Sequence, residues 1–446
     1  MNHAVTVIGG GLAGCEAALQ LAAHGHKVCL IEMRPAHSTA AHQTDLLGEL
    51  VCTNSFKSED PANAHGQLKR EMAQLGSILL RSAAAARVPA GSALAVDRER
   101  FAGAMTAAVR EHPGIELQRR EVRALPEGPT VVATGPLTSD ALSEAIRTCL
   151  GSDGLAFFDA IAPIVHRESL DESIVFAAGR FEESDDYLNC PFSKDEYEAF
   201  IDDLLAAEVH DGHDWDRVPY FEGCLPIEVM ASRGRDTLRF GPMKPIGLTD
   251  PRTGRRPWAV LQLRREDAAG QMLNLVGFQT RMKVGAQAAV FRRVPGLAGA
   301  EFLRWGSIHR NTYLNFPAHL LPHGGLPGRP DLVFAGQLTG VEGYTESAAS
   351  GILAGINLDR ILTGRSPVMP PATTMLGGLL RFLREADPMR FQPMNSNWGL
   401  VDPLPNPPRG KPERREALAA RAQADFERWV QEESIMGTPV GVGGIR

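Results

Sequence analysis

The chain has 446 residues, with 46 Lys/Arg against 53 Asp/Glu and a formal net charge of −7. Its 43% hydrophobic and 22% charged residues exclude a disordered, fibrous or membrane-embedded chain, and the length suits two globular domains. No apolar run approaches the roughly 20 residues that cross a bilayer, and no basic, apolar leader precedes the first strand, so neither a membrane span nor a signal peptide is expected. Six cysteines (15, 29, 52, 149, 190 and 224) lack CxxC or CxxH spacing. That argues against a metal site or a disulfide framework and predicts a cytoplasmic protein.

In chain order, residues 5–32 come first: an apolar strand, the turn Gly9-Gly10-Gly11-Leu12-Ala13-Gly14, an Ala-rich helix, and a second apolar strand ending at Glu32. This is the β-α-β dinucleotide fingerprint. Gly9 makes the tight turn, Gly11 lets the backbone approach a pyrophosphate, and Gly14 lets helix and strand pack closely. The helix N-terminus points free N–H groups at the phosphates, and Glu32 is placed to accept both ribose hydroxyls, with Met33 and Arg34 beside it. Residues 33–58 hold too many turn formers for a long helix, 67–86 have helical periodicity, and 97–110 read as a further helix. Strands are expected at 115–122 and 130–134.

The strand at 130–134 ends in Ala133-Thr134-Gly135, and residues 331–337 form another buried strand ending in Gly336-Gln337. The turn after it, with Gly343-Tyr344-Thr345, leads into a small-residue helix at 348–357. These two segments resemble motifs of two-dinucleotide-binding-domain flavoproteins, and the resemblance implies that three pieces near 10, 135 and 340 converge on one FAD; otherwise the last two are only parallel strands of an α/β sheet. Helices are expected again at 375–385 and 412–433. These elements predict an α/β protein: a Rossmann-like FAD-binding domain of glutathione-reductase type, in two parts (1–155 and 319–446), around an inserted mixed α/β domain (156–318).

The net charge hides an uneven distribution. Residues 168–203 carry 12 Asp/Glu and 2 Lys/Arg, whereas 231–310 carry 15 Lys/Arg and 5 Asp/Glu. A local +10 is what tracks a phosphate backbone, although a solvated charged face is an equally good reading of composition alone.

Two cysteines have unusual surroundings. Cys52 sits among Thr53, Asn54, Ser55 and Lys57, donors and a positive charge that favour thiolate. Cys224 lies between Gly223 and Pro226, in a constrained turn. The bland reading of either is a small buried hydrophobe, which suits Cys15, Cys29, Cys149 and Cys190. A second polar group comprises Arg281, Lys283, His309 and Asn311 beside Gly turns, suited to an anionic substrate or a pterin, or simply to structural hydrogen bonding.

The segments GGGLAGCEAA, IEMRP, ELVCTNSFKSED, VDRERF, ATGPLTSD, YLNCPFSKDEYEAF, FEGCLPIEVMASRG, LRFGPMKPIGL, GFQTRMK, HRNTYLN, GQLTGVEGYTESAASG and FQPMNSNWGL cover nearly the whole chain. With them the sequence resembles the TrmFO family, folate- and FAD-dependent tRNA (uracil-5-)-methyltransferases related to the GidA/MnmG flavoproteins. The resemblance implies methylation of C5 of a T-loop uridine with 5,10-methylenetetrahydrofolate as carbon donor, reduced FAD as methylene carrier and reductant, and NAD(P)H renewing the flavin. It makes Cys224 the nucleophile toward uracil C6. Cys52 assists, by removing the C5 proton or by protecting the activated flavin. Arg281, Lys283, His309 and Asn311 become candidate folate or tRNA contacts, with no obligatory protein partner. The alternatives are a folate-dependent methylase of ribosomal RNA, an MnmG-like enzyme (disfavoured because that class has a long C-terminal helical extension), and a small-molecule NAD(P)H-dependent flavin oxidoreductase.

Overall fold

The apolar runs that open the chain are too uniformly hydrophobic to leave a face in water, and they form the buried centre of a parallel sheet covered on both sides. The computed structural model describes residues 3–39, 41–151, 155–180, 184–210, 225–265, 270–389, 391 and 393–435, with the backbone alone for 155–161 and 307–312. Among these, a six-stranded sheet has the order Gly325–Leu326, Arg329–Phe334, Thr130–Val132, Ala4–Ile8, Lys27–Glu32, Ile115–Arg119. All neighbours are parallel except the edge hairpin 325–334. Alternation along the strands sends residues to opposite faces. Val5, Val7, Val131 and Val333 join Leu19, Leu21, Ile352 and Ile356 on one side. On the other, Ile8, Val132, Leu332 and Phe334 meet Leu142 and Ile146 of the helix Asp140–Leu150.

The register is what gathers distant segments. Ile8 pairs with both Ile31 and Val132, and Val132 pairs with Phe334. The next residues, Gly9, Glu32, Ala133 and Ala335, therefore line one edge at the carboxyl ends of the strands, where ligands of open α/β sheets bind. The helices Leu12–Ala23 and Tyr344–Leu362 run parallel over this sheet. A Cβ on Gly351 would lie 2.2 Å from Ala13 O, and one on Gly355 3.0 Å from Ala17 O. Glycine thus permits near contact of the two backbones, and both N-termini point to the same edge.

A second sheet, wholly antiparallel, has the order Phe176–Ala177, Tyr187–Phe192, Ala259–Arg265, Met272–Leu275, Ile164–His166, Phe302–Arg304. Its core (Val165, Phe192, Phe200, Leu261, Phe278, Phe291) includes residues of the helices Lys194–Ala206 and Val284–Phe291. The strands leading into and out of this region, Leu155–Ile161 and Ser307–Tyr313, pair with each other along their full length.

The single helix expected over 67–86 is two, Ala64–Gln74 and Ile78–Ala85. Gly76 takes a φ of +76°, and the Ser77 hydroxyl accepts from Leu80 N, starting the second helix. The helix expected at 348–357 begins four residues earlier, at Tyr344, and runs to Leu362.

Candidate functional site

The glycine turn is built as a cradle. Gly9 has a φ of +104°, and a Cβ on Gly14 would stand 1.8 Å from Gly9 O, so neither position accepts a side chain. A Cβ on Gly11 would meet nothing within 4 Å, because Gly11 faces the open edge. No side chain caps the helices that start after Gly11 and Gly343, leaving their orphan N–H groups aimed at that edge. The adjoining cleft is lined by Gly9, Gly11, Glu32, Met33, Arg34 and Thr134. Gly10 is packed beneath, and its N–H donates to Glu32 Oε2 at 2.8 Å. Glu32 Oε1 accepts from Arg34 N and Arg34 Nε, both at 3.0 Å. Three protein N–H groups thus already bond the carboxylate at the base of the cleft where a ribose is expected. Burial opposes ionisation of Glu32, but the Arg34 guanidinium and these N–H bonds outweigh it and hold the carboxyl below its ordinary range.

Of the other expected cofactor residues, Leu12 and Ala13 form the buried first turn of the fingerprint helix. Gly135 has a φ of +68°, and Gly336 one of +77°. Gln337 Nε2 donates to Glu342 Oε2 at 2.8 Å, and Thr345 Oγ1 donates to Glu346 Oε2 at 2.8 Å. Open glycine backbone, two uncapped helix starts and a ribose-facing carboxylate suit a dinucleotide.

Cys52 is held at this edge by residues far away in sequence. The Tyr344 hydroxyl accepts from Cys52 N at 2.8 Å and Thr53 N at 3.2 Å. Arg98 Nη2 donates to Cys52 O at 3.2 Å, and its Nη1 donates to Leu50 O. Burial pushes the Tyr344 phenol well above its ordinary value, so it stays neutral. The polar neighbours of Cys52 do not surround the sulfur as expected. Thr53 Oγ1 accepts from Arg264 Nη2 at 2.5 Å, and Asn54 Oδ1 accepts from Arg264 Nε at 2.9 Å. Asn54 Nδ2 donates to Val96 O and Arg265 O at 2.9 and 2.7 Å. These groups moor the loop to the antiparallel sheet, and Lys57 is exposed with a φ of +62°.

Beside Tyr344, fully buried Glu346 accepts from Ser396 N at 3.0 Å and lies 3.2 Å from His65 Nδ1. Burial would raise its carboxyl, yet the His65 imidazole, the Lys57 charge and the Ser396 N–H hold it well below the carboxylate range. Lys69 Nζ donates to Ser58 O and His65 O at 2.9 and 3.1 Å, and burial pulls its ammonium down to about 8. Sequence reasoning missed Arg98, Arg264, Glu346, His65 and Lys69. Arg98 stood in a segment noticed only as a helix start, and Glu346 directly follows Gly343, Tyr344 and Thr345, which were read as cofactor contacts without it.

Cys224 lies outside the described residues, which resume at Leu225. The segment just after it is firmly anchored. Ile227 N donates to Gln279 O at 2.7 Å, and buried Glu228 accepts from Thr280 Oγ1 and Arg281 N, both at 2.9 Å. The Arg281 guanidinium lies 3.7 Å from the same carboxylate, and Lys283 pairs with Glu208. His309 and Asn311 fall on the strand Ser307–Tyr313, with their side chains outside the described set. Cys15 and Cys190 are buried, with thiols pushed up by burial, and the half-buried Cys29 shifts the same way. Cys149, expected inside, is exposed, because Leu142 and Ile146 take the buried stripe of its helix. Among the described residues no group of three or more His, Cys, Asp or Glu is placed to hold a metal, and no helix is long and apolar enough to cross a membrane.

The GidA family pattern (glucose inhibited division protein A) matches residues 4–366. The chain is 54% identical over 433 residues to the methylenetetrahydrofolate–tRNA-(uracil-5-)-methyltransferase TrmFO of Geobacter sulfurreducens, covering 96% of this chain and 99% of that protein. It is 54% identical over 424 residues to the protein of the same name from Moorella thermoacetica, covering 95% and 97%. The fold is similar to that of Aquifex aeolicus GidA, with a TM-score of 0.69 at 17% identity over 97% of this chain and 75% of that one.

Proposed function

This chain belongs to the GidA family and, within it, to the TrmFO methyltransferases, and from that premise we propose that it methylates C5 of a uridine in the tRNA T-loop with 5,10-methylenetetrahydrofolate as carbon donor. The observation that carries the reading is the meeting of Cys52 with the dinucleotide edge. Tyr344, first residue of a helix aimed at that edge, accepts from both Cys52 N and Thr53 N. A thiol fixed beside a flavin-type cradle suits flavin-linked one-carbon chemistry better than hydride transfer alone.

The chemistry then follows from uracil. Its C5 is a poor nucleophile. The Cys224 thiolate adds to C6, and the displaced pair enters the C5–C4–O system, making C5 nucleophilic. After C5 bonds the one-carbon unit it loses its proton, the C5=C6 double bond re-forms, and the thiolate leaves. Reduced FAD, when bound, would carry the one-carbon unit and supply the two electrons that make it methyl, with NAD(P)H as the renewing reductant. Gly9, Gly11 and Gly14 admit the pyrophosphate, Glu32 takes a ribose hydroxyl, and Thr134, Gly135, Gly336 and Gln337 border the same edge. Arg98 and Tyr344 fix the Cys52 backbone, Arg264 holds the neighbouring Thr53 and Asn54 side chains, and Glu228 anchors the chain just beyond Cys224. Arg281 and the side chains of Lys283, His309 and Asn311 remain proposed folate or tRNA contacts. We propose the division at 156 and 318, and a cytoplasmic location, on the sequence reading alone.

The test is 5-methyluridine formation in an unmodified tRNA transcript with holoenzyme, NAD(P)H and methylenetetrahydrofolate, beside an S-adenosylmethionine control. Cys224→Ala is expected to abolish product while keeping FAD. Product from that variant, or product only with S-adenosylmethionine, overturns the reading.

A further inference from the structure

Phe240 is 79% exposed, at the end of the short helix Thr237–Phe240 whose Leu238 is fully buried. It is not on a frayed loop. Met243 N donates back to Leu238 O at 2.8 Å, and Val260 N donates to Met243 O at 3.0 Å, tying the segment to the antiparallel sheet. Arg239 lies over Trp258, its Cζ 3.6 Å from the ring centroid, and donates to Trp258 O at 3.1 Å. A rigid mount that presents a large apolar ring to water opposes the hydrophobic effect, and the ring has no folding role to offset that.

The mount adjoins the nucleophile's anchor. Gly277 has a φ of +79°, and a Cβ there would stand 2.5 Å from Pro242 Cβ, so residues 240–243 press on the turn that starts at Gly277. That same turn holds Ile227 and Glu228, three and four residues after Cys224, through Gln279 O, Thr280 Oγ1 and Arg281 N. The surrounding segment is cationic. Lys244 is half-buried, Arg255 and Arg256 are exposed, and none of the three pairs with an acidic side chain among the described residues.

We propose that Phe240 is a stacking platform for a nucleobase of the RNA substrate, with Lys244, Arg255 and Arg256 on the flanking phosphates. Flat rings beside unneutralised cations match a single strand with splayed bases, because every base has a π-face and every linkage a charge. A uridine that must leave its fold to reach a thiolate supplies such bases on either side of it. A pterin would call for an enclosing pocket, which a ring open over most of its area does not provide. The assignment rests on the tRNA reading above.

The test measures binding of an unmodified tRNA transcript to holoenzyme over a salt series. Loss of one stacked base in Phe240→Ala should weaken binding on the order of 10-fold. Phe240→Trp should restore it and Phe240→Leu should not. The slope of log K against log salt should stay unchanged in Phe240→Ala, since stacking releases no ions, and should fall by roughly 1 to 2 in the Arg255→Ala/Arg256→Ala variant. Flavin content is the control for folding. Wild-type affinity in Phe240→Ala, rescue by leucine, or a loss confined to the KM for methylenetetrahydrofolate overturns the platform. Failure of the wild-type holoenzyme to bind tRNA at all overturns the functional reading instead.

Discussion

Asn54 is the point where the Cys52 loop is moored to the antiparallel sheet, and Asn54→Ala would cut that mooring. Its side chain is 0% exposed and makes three hydrogen bonds, to Val96 O, Arg265 O and Arg264 Nε. Truncation leaves two buried carbonyls and one charged donor without this partner. At about 1 kcal/mol for each neutral bond and somewhat more for the charged one, the loss is about 3 kcal/mol. The unfolding entropy of a chain this size is roughly 0.9 kcal/mol/K, so Tm should fall by roughly 3 °C. Activity should suffer more. Cys52 is two residues away, and displacement of a reacting group by about 1 Å costs on the order of 100-fold. Calorimetry gives the first number, and 5-methyluridine formation at matched flavin content the second. Asn54→Asp keeps the acceptor for Arg264 but turns a carboxylate toward two carbonyls, and is expected to be no better than alanine. A variant with wild-type Tm and rate would refute the reasoning.

Gly14→Ala should prevent flavin retention, because its Cβ would meet Gly9 O at 1.8 Å, backbone against backbone; the visible flavin absorbance of purified protein checks this, and normal absorbance refutes it. Glu32→Ala removes the acceptor of Gly10 N and Arg34 Nε and a ribose partner, so FAD binding should be at least about 10-fold weaker by fluorescence titration. Buried Glu71 accepts from Met375 N and Leu376 N at 2.8 Å, and burial raises its carboxyl to about 7 from 4.5. The folded state therefore holds this proton more tightly than the unfolded chain, and stability should decline as pH rises from 4.5 to about 7. Across that window Tm should drop less in Glu71→Gln than in wild type, and equal slopes would remove the cause assigned here.

What could be read from sequence was local. The fingerprint is legible because its requirements act within a few residues: Gly14 must clear Gly9 O, and Gly9 must take a positive φ. The strands ending near 134 and 335 are legible by their apolar runs, and parallel pairing then puts their ends on the same edge. The break at Gly76-Ser77 was not legible, since it depends partly on Glu16. That residue accepts from Ser77 Oγ, Ile78 N and Leu79 N at 2.5, 3.2 and 3.0 Å, capping a helix 61 to 63 positions away. The surroundings of Cys52 were misread for the same reason. Local inspection finds polar side chains at Thr53 and Asn54, but Arg264, about 210 residues on, donates to both of them, and the Asn54 amide donates to Val96 O and Arg265 O.

That misreading shows how the loop works. A thiol solvated by its own neighbours would move with its loop, whereas the Cys52 loop is fixed from three directions, two through the Cys52 backbone and one through the Thr53 and Asn54 side chains. Tyr344 comes from the helix over the parallel sheet, Arg98 from the helix after Asp97, and Arg264 from the antiparallel sheet. Positive charge also collects near this clamp: Lys57 and Lys69 act on buried Glu346, two residues beyond Tyr344, and Arg98 acts on Tyr344 itself. Cations beside two helix N-termini attract anions without preference for their source. Discrimination between a dinucleotide pyrophosphate and an RNA backbone must then come from shape, with the glycine cradle admitting one and the outward-facing basic segment around Phe240 meeting the other.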